Sequence, residues 1–381
     1  MQNEDSSHEP PGEYVPSHPH SYFRPEPLSV ESGLEITDEV HELAIEAAHQ
    51  LGRVDGALSA SDFSDSICTR LRRIEAVESA RIEGADVTLT DVEAYRTRYA
   101  DDTDPPAVPK DTREAVNCEE AISLATGNTG RHEAITPDLI KRLHEVLLDG
   151  VSSDGDVVGN FRDHMVHLPS PDLGQRSFVP PTPESVEPLV ESLTSYAQAG
   201  GAHHAIIDAA VIHYFFETVH PFSDGNGRLG RLLTILYLMQ EGYPESVYIC
   251  QSEYLNQNKY DYVQRMRAVS DEGAWNEWFE FFVEGIRSQA EHTYERIREL
   301  HELQAEYSER YNGDSATDKL ARQLLQHPYF APPDLVDVLG VSRPTVYKAV
   351  DELDRSGLIR EVTGRQTGRQ YEASGVFDIL R

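Results

Sequence analysis

The 381-residue chain reads as a mainly α-helical protein with one short β-hairpin and a C-terminal winged helix-turn-helix domain. Three observations carry that reading. Apolar residues recur at helical spacing on both sides of a polar loop at 220–231: Ile207, Ala210, Val211 and Tyr214 before it, and Leu229, Leu232, Leu233 and Leu236 after it. Ile67, Leu71, Ile74 and Val77 repeat at intervals of three and four, which predicts a further helix over about 65–84. From Ala316 onward basic and acidic residues balance, so the whole formal charge of −33 sits on the preceding part of the chain, and a domain boundary is expected near Tyr311-Asn312-Gly313-Asp314.

Taken in order, the first 28 residues are rich in Pro, Ser, His and Glu without periodicity, and are expected to be a disordered acidic tail whose His8, His18 and His20 are solvated. Gly84 is suited to close the 65–84 helix in a left-handed cap, and Thr90 with Glu93 reads as a capping box for the next helix. Met165 to Leu168 and Ser177 to Val179 read as two short strands joined by a turn rich in Pro, Asp and Gly. An edge of that kind can take an extended peptide by strand addition, through backbone bonds that do not specify the peptide. Near the C-terminus, Leu335, Val338, Leu339 and Val341 lead through Gly340 to Ser342, the N-cap of a helix carrying Val350 and Leu353. Residues 359–371, with Arg360, Arg365 and Arg369 around Gly364 and Gly368, form the expected wing.

The loop His220-Pro221-Phe222-Ser223-Asp224-Gly225-Asn226-Gly227-Arg228-Leu229-Gly230-Arg231 concentrates the chemistry. Gly225-Asn226-Gly227 precedes a helix, so its N–H groups can turn inward beside the positive end of the helix dipole and form a nest for an anion. Arg228 and Arg231, three apart on that helix, can reach further oxygens of a polyphosphate. Asp224 is a hard oxygen ligand where Mg²⁺ bridging two phosphates is expected. His220 is the group in the loop that titrates near neutrality and is the candidate general base.

At every defining position this loop resembles the signature of the Fic family, His-Pro-Phe-x-Asp/Glu-Gly-Asn-Gly-Arg-x-x-Arg. The resemblance extends over roughly residues 60–290: Gly159-Asn160-Phe161-Arg162 and Val179-Pro180-Pro181 look like the family's flap region, and Ser252-Glu253-Tyr254 through Tyr262 to Trp275 and Trp278 look like its closing helices. It implies a Fic-type helical bundle and transfer of AMP from ATP to a Tyr, Thr or Ser hydroxyl of a protein target, this protein itself included, with pyrophosphate released. His220 would then be catalytic, Asp224 would hold Mg²⁺, the stretch Gly225, Asn226, Gly227, Arg228, Leu229, Gly230 and Arg231 would bind ATP, and Tyr262 would lie near the adenine. Ser79-Ala80-Arg81-Ile82-Glu83-Gly84 resembles the family's inhibitory motif, with Glu83 pairing with Arg231 and Ser79 beside it.

The implied division is a tail at 1–28, a helical region with the inhibitory helix at 29–115, a catalytic core at 116–290, a linker helix at 291–315 and a winged-helix domain at 316–381. Arg343, Thr345, Tyr347 and Lys348 are the candidate DNA contacts, opposed by Asp351, Glu352 and Asp354 on the same helix. Dimerisation or partner docking is the competing use of that domain. The alternative to an enzyme is therefore a nucleotide-sensing, DNA-binding regulator whose Fic site binds without transferring AMP. Cys68, Cys118 and Cys250 are too few and scattered for a disulfide framework, and no apolar run approaches a membrane span, so a cytoplasmic protein is expected. Lys110, Lys141, Lys259, Lys319 and Lys348 are the only lysines, and acid excess with scarce Lys points to adaptation to high salt, an acidic partner-repelling surface being the alternative reason.

Overall fold

The computed structural model describes all residues except 1–8, 18–20, 32, 100–107, 128–133, 153–156 and 170–176. His8, His18, His20 and the turn of the expected 165–179 hairpin lie outside the described residues. The chain begins with an antiparallel hairpin, β1 (Gly12–Val15) and β2 (Tyr22–Pro25), in which Tyr14 faces Phe23. This corrects the expectation of a disordered tail. The ring of Phe23 is fully buried, against Tyr14 at 5.1 Å and Phe178 at 5.7 Å, and one large apolar anchor holds a segment whose average composition is polar.

Helices α1 (Asp38–Ser59), α2 (Ser64–Ile82), α3 (Leu89–Tyr99), α4 (Lys110–Thr126) and α5 (Pro137–Leu147) follow. The capping box of α3 lies two residues before the expected one. The Thr88 hydroxyl accepts from the Asp91 amide at 3.3 Å, and the Asp91 carboxylate accepts from the Thr88 amide at 2.9 Å. Glu93 instead is buried between Arg70 and Arg73 of α2, at 3.3 and 2.6 Å. Helices α6 (Pro183–Gln198), α7 (Ala205–Val219), α8 (Asn226–Gln240), α9 (Gln251–Gln257), α10 (Lys259–Glu272) and α11 (Trp275–Arg310) complete the main body. Helix α7 is buried on nearly every face, as its predominantly apolar composition requires. Trp278 of α11 is wholly buried against it and donates its indole N–H to the Ala210 carbonyl at 3.0 Å. The boundary expected at 290/291 falls inside α11, which runs unbroken for 36 residues because its apolar stripe continues through Ile297 and Leu300.

Between α5 and α6, Leu168 and Phe178 exchange two backbone hydrogen bonds of 2.8 and 2.9 Å in a single antiparallel bridge. The flap is extended from outside: the Phe23 amide of β2 donates to the Val179 carbonyl at 2.8 Å.

The C-terminal unit comprises α12 (Ala316–Gln323), β3 (Tyr329–Phe330), α13 (Leu335–Leu339), α14 (Arg343–Ser356), β4 (Ile359–Glu361), β5 (Tyr371–Ala373) and α15 (Ser374–Leu380), with sheet order β3-β5-β4. Gly340 makes the left-handed turn between α13 and α14 at φ +62°, the element order expected of a winged helix-turn-helix. Ser342 sits at the α14 N-cap without a side-chain cap bond; its hydroxyl pairs with that of Thr345.

This unit is bound to the body. The Ser66 hydroxyl of α2 donates to the Leu325 carbonyl at 2.6 Å. Glu372 of β5 is fully buried, accepting from Arg360, from Arg381 at 2.9 Å and from the Thr90 hydroxyl of α3 at 3.1 Å. Replacing Glu372 with Ala leaves two cations and a hydroxyl without their shared acceptor. Both arginines are partly solvated, so a loss of about 1–3 kcal/mol is expected, read as a lower urea midpoint of the full chain.

Candidate active site

The loop between α7 and α8 is built around an unusual backbone. His220 caps α7 in the left-handed conformation at φ +50°, ψ +62°, a region that costs a side-chain-bearing residue free energy. Arg162 holds it there. Its guanidinium is buried and donates to the carbonyls of His220 (2.8 Å), Val219 (3.2 Å), Pro181 (2.6 Å) and His164 (3.0 Å), tying the loop to the base of the flap. Burial pushes the Arg162 guanidinium down to about 10, still charged at neutral pH. The His220 imidazole is pushed down to about 4, because its burial outweighs the nearby Glu217 carbonyl and the acidic neighbours that favour its charged form. It is therefore a neutral imidazole at physiological pH, the form that accepts a proton.

Phe222 is fully buried and stacks on His144 of α5 at 3.8 Å. His144 Nδ1 accepts from the Gly159 amide at 2.9 Å, leaving Nε2 to donate to the Asp224 carbonyl at 3.1 Å. The Asn226 side chain closes the turn: its oxygen accepts from the Phe222 amide and its nitrogen donates to the Phe222 carbonyl, both at 2.9 Å. Asn226 thus shapes the nest, whereas the sequence reading gave it to the phosphate. Gly225 takes φ +77° ahead of α8, as a left-handed N-cap requires.

The cations are arranged differently from one another. Among the described residues, buried Arg228 has no hydrogen-bond partner for Nε or Nη1, and its nearest carboxylates are Asp224 at 3.5 Å and Glu114 at 3.9 Å. Unfilled buried guanidinium donors beside a helix N-terminus fit an anionic oxygen. Arg231, only 4 % exposed, is engaged by the C-terminal end of α2. Its Nε donates to the Ser79 hydroxyl (2.9 Å), and its Nη2 donates to the Ser79 carbonyl and to Glu83 Oε1, both at 2.8 Å. Burial opposes both charges, yet the mutual attraction wins: Glu83 is held below the usual carboxylate range and Arg231 above its usual value. Glu83 also covers the nest itself. A methyl group placed on Gly227 would come within 2.1 Å of Glu83 Oε1, so the carboxylate lies directly on the backbone expected to receive a phosphate.

Asp224 is half exposed, with Oδ1 fixed by the Gly225 amide at 2.6 Å. Among the described residues no group of three His, Cys, Asp or Glu could hold a metal. One oriented carboxylate suits Mg²⁺ that takes its remaining ligands from phosphates and water.

Leu229 is fully buried in the core, and Gly230 faces Glu217. Tyr262 is likewise buried and shares a 2.8 Å hydrogen bond with His213, so its ring is a core element. A cavity of about 110 Å³ lies one residue on, under the flap, lined by Leu168, Phe178, Glu217, Val263, Met266 and Ser270 among others. The sequence reading also missed Arg162, His144 and Glu217. In α14, Arg343, Thr345, Tyr347 and Lys348 are all exposed, with Lys348 at 3.9 Å from Glu352; of the wing arginines, Arg360 is turned to Glu372 and Asp378.

A left-handed histidine, a glycine turn and two buried arginines thus meet in the loop between two helices. Residues 134–238 match the sequence model of the Fic/DOC family, and residues 41–127 match that of the Fic/DOC family N-terminal region. The chain belongs to the Fic/DOC family. It is 33 % identical over 145 residues to a "Protein adenylyltransferase Fic" of Aedes aegypti, covering 38 % of this chain and 26 % of that one. It is 30 % identical over 152 residues to the protein of the same name in Nematostella vectensis, covering 38 % and 34 %. The match thus spans only about a quarter to a third of those relatives' length. In fold it resembles a Fic family protein from Desulfovibrio desulfuricans G20, with a TM-score of 0.58 at 22 % identity over 89 % of this chain and 97 % of that one. No helix among the described residues is long and apolar enough to cross a membrane.

Because Arg162 closes four carbonyls at once, Arg162→Ala is expected to cost about 2–4 kcal/mol of stability. The check is chemical denaturation of the purified variant.

Proposed function

We propose that the protein is a protein adenylyltransferase that moves AMP from ATP to a hydroxyl side chain of a protein target and is held off by Glu83. The observation that carries this reading is the Glu83 carboxylate lying on the Gly227 backbone while it pairs with Arg231, which places an anion where the nest would hold a phosphate. Family membership and relatives named for the same activity support it.

In the transfer, the target hydroxyl oxygen attacks the α-phosphorus, and the bond from that phosphorus to the oxygen bridging to the β-phosphate breaks. Pyrophosphate leaves and the AMP ester remains on the target. Neutral His220 takes the hydroxyl proton, a contribution of about 10²- to 10⁴-fold in rate. The Gly225 to Gly227 backbone and Arg228 hold phosphate oxygens and stabilise the charge that builds up on them. Arg231, once free of Glu83, supports the terminal phosphates. Mg²⁺ held by Asp224 would neutralise phosphate charge. The cavity between the flap and α10 takes the nucleoside, its apolar wall suited to a flat base.

ATP radiolabelled on the α-phosphate, incubated with the full chain and a cell lysate, tests this. Glu83→Gly is expected to raise covalent labelling by about tenfold or more, the scale of one charge-assisted hydrogen bond. His220→Ala in that background, or chelation of divalent cations, is expected to abolish it. Labelled nucleotide that binds the Glu83→Gly chain without ever becoming covalent would favour the nucleotide-sensing regulator instead, with the exposed face of α14 as its output.

A further inference from the structure

Glu217 stands on the last turn of α7, one turn before His220, and none of the transfer chemistry uses it. Its Oε1 is buried without a hydrogen-bond partner among the described residues. A methyl group on Gly230 would meet that oxygen at 2.3 Å, so the carboxyl rests on the α8 backbone immediately beside Arg231. The same side chain lines the cavity under the flap, whose other walls are Leu168, Phe178, Val263 and Met266. Glu217 therefore occupies the junction between the phosphate nest and the apolar cavity. Burial outweighs the attraction of Arg231 and pushes its carboxyl up to about 8; among the described residues no hydrogen-bond donor reaches Oε1.

A nucleotide laid from the nest into the cavity brings its ribose to this junction, because the sugar is the group that joins the α-phosphate to the base. Ribose hydroxyls are donors, and a buried unpaired acceptor discriminates strongly against a ligand that lacks its donor. We infer that Glu217 is the ribose-recognising residue of this site, accepting hydrogen bonds from the 2′- or 3′-hydroxyl and making the protein selective for ribonucleotides. The inference rests on the nucleotide reading of the nest.

The test is calorimetric binding of ATP, 2′-deoxy-ATP and 3′-deoxy-ATP to the full chain carrying Glu83→Gly, to open the nest, and His220→Ala, to stop turnover. ATP is expected to bind about tenfold more tightly than at least one deoxy analogue. Adding Glu217→Leu should bring ATP down to the level of the analogue it is preferred over and leave that analogue unchanged. Glu217→Gln keeps the shape and one neutral acceptor, and should narrow the gap even if the Leu variant melts early. Equal binding of all three nucleotides by the parent, or a ribose preference that survives both substitutions, overturns the inference while leaving the nucleotide reading intact. No ATP binding by the parent at all would sink both.

Discussion

Arg231 is a guanidinium with almost no access to water, and a charge in that position must be paired and hydrogen-bonded to be tolerated. Ser79 supplies two of its partners, but both are neutral. The compensating negative charge comes from Glu83, or from a ligand that takes its place. The shift of Glu83 below and of Arg231 above their usual ranges reports the same attraction from its two ends. Closure of the nest and order at the end of α2 are consequently one event. Under the proposed function, anything that stabilises Glu83 on Arg231 would disfavour a polyphosphate there, and the reverse would hold by the same amount.

The rest of α2 is fixed too firmly to leave with Glu83. Glu75 accepts from the amide and hydroxyl of Ser252, Glu78 accepts from Asn256 at 2.9 Å, and Lys259 donates to the Ile82 carbonyl. At its other end the helix is pinned by Ser66 to the C-terminal unit, and its Arg70 and Arg73 pair with Glu93 of α3. Glu83 stands at the helix edge: it is the C-cap, its side chain is 38 % exposed, and Gly84 follows at φ +102°. Opening the site thus asks for a rotation of one side chain at a helix end, not for removal of a helix.

Much of this was legible in the sequence because it is written in local spacing. The 220–231 loop, the helices around it, α2 and the α13–α14 turn all follow from periodicity and glycine placement, and Glu83 became meaningful only beside the loop. What was not legible depends on long-range geometry. Arg162 looks like any flap residue until its four carbonyl partners arrive from three segments. Glu217 reads as the polar position of an apolar helix, and only the approach of Gly230 shows that it faces inward. Tyr262 and the cavity differ by one residue along α10, a rotation that periodicity cannot resolve in a helix of mixed composition. The N-terminal hairpin was hidden because its few apolar residues, Tyr14, Val15, Tyr22 and Phe23, stand among prolines and polar residues, and the Val179 carbonyl that the Phe23 amide meets is far away in sequence.

The charge of the site also accounts for its economy in a chain of net charge −33. A polyanion approaching such a surface is repelled at long range, so its binding must come from short-range donors that solvent and salt do not screen. Arg228 and Arg231 are buried, and the nest adds backbone dipoles at the start of α8. In the closed site Glu83 balances part of that charge. Under the proposed function, a phosphate that displaced Glu83 would put one anion in place of another on the same guanidinium, so that the buried arginine would be compensated in both states. The same balance requires that the released Glu83 carboxylate reach water, and its position at an exposed helix end, followed by a glycine, provides that path.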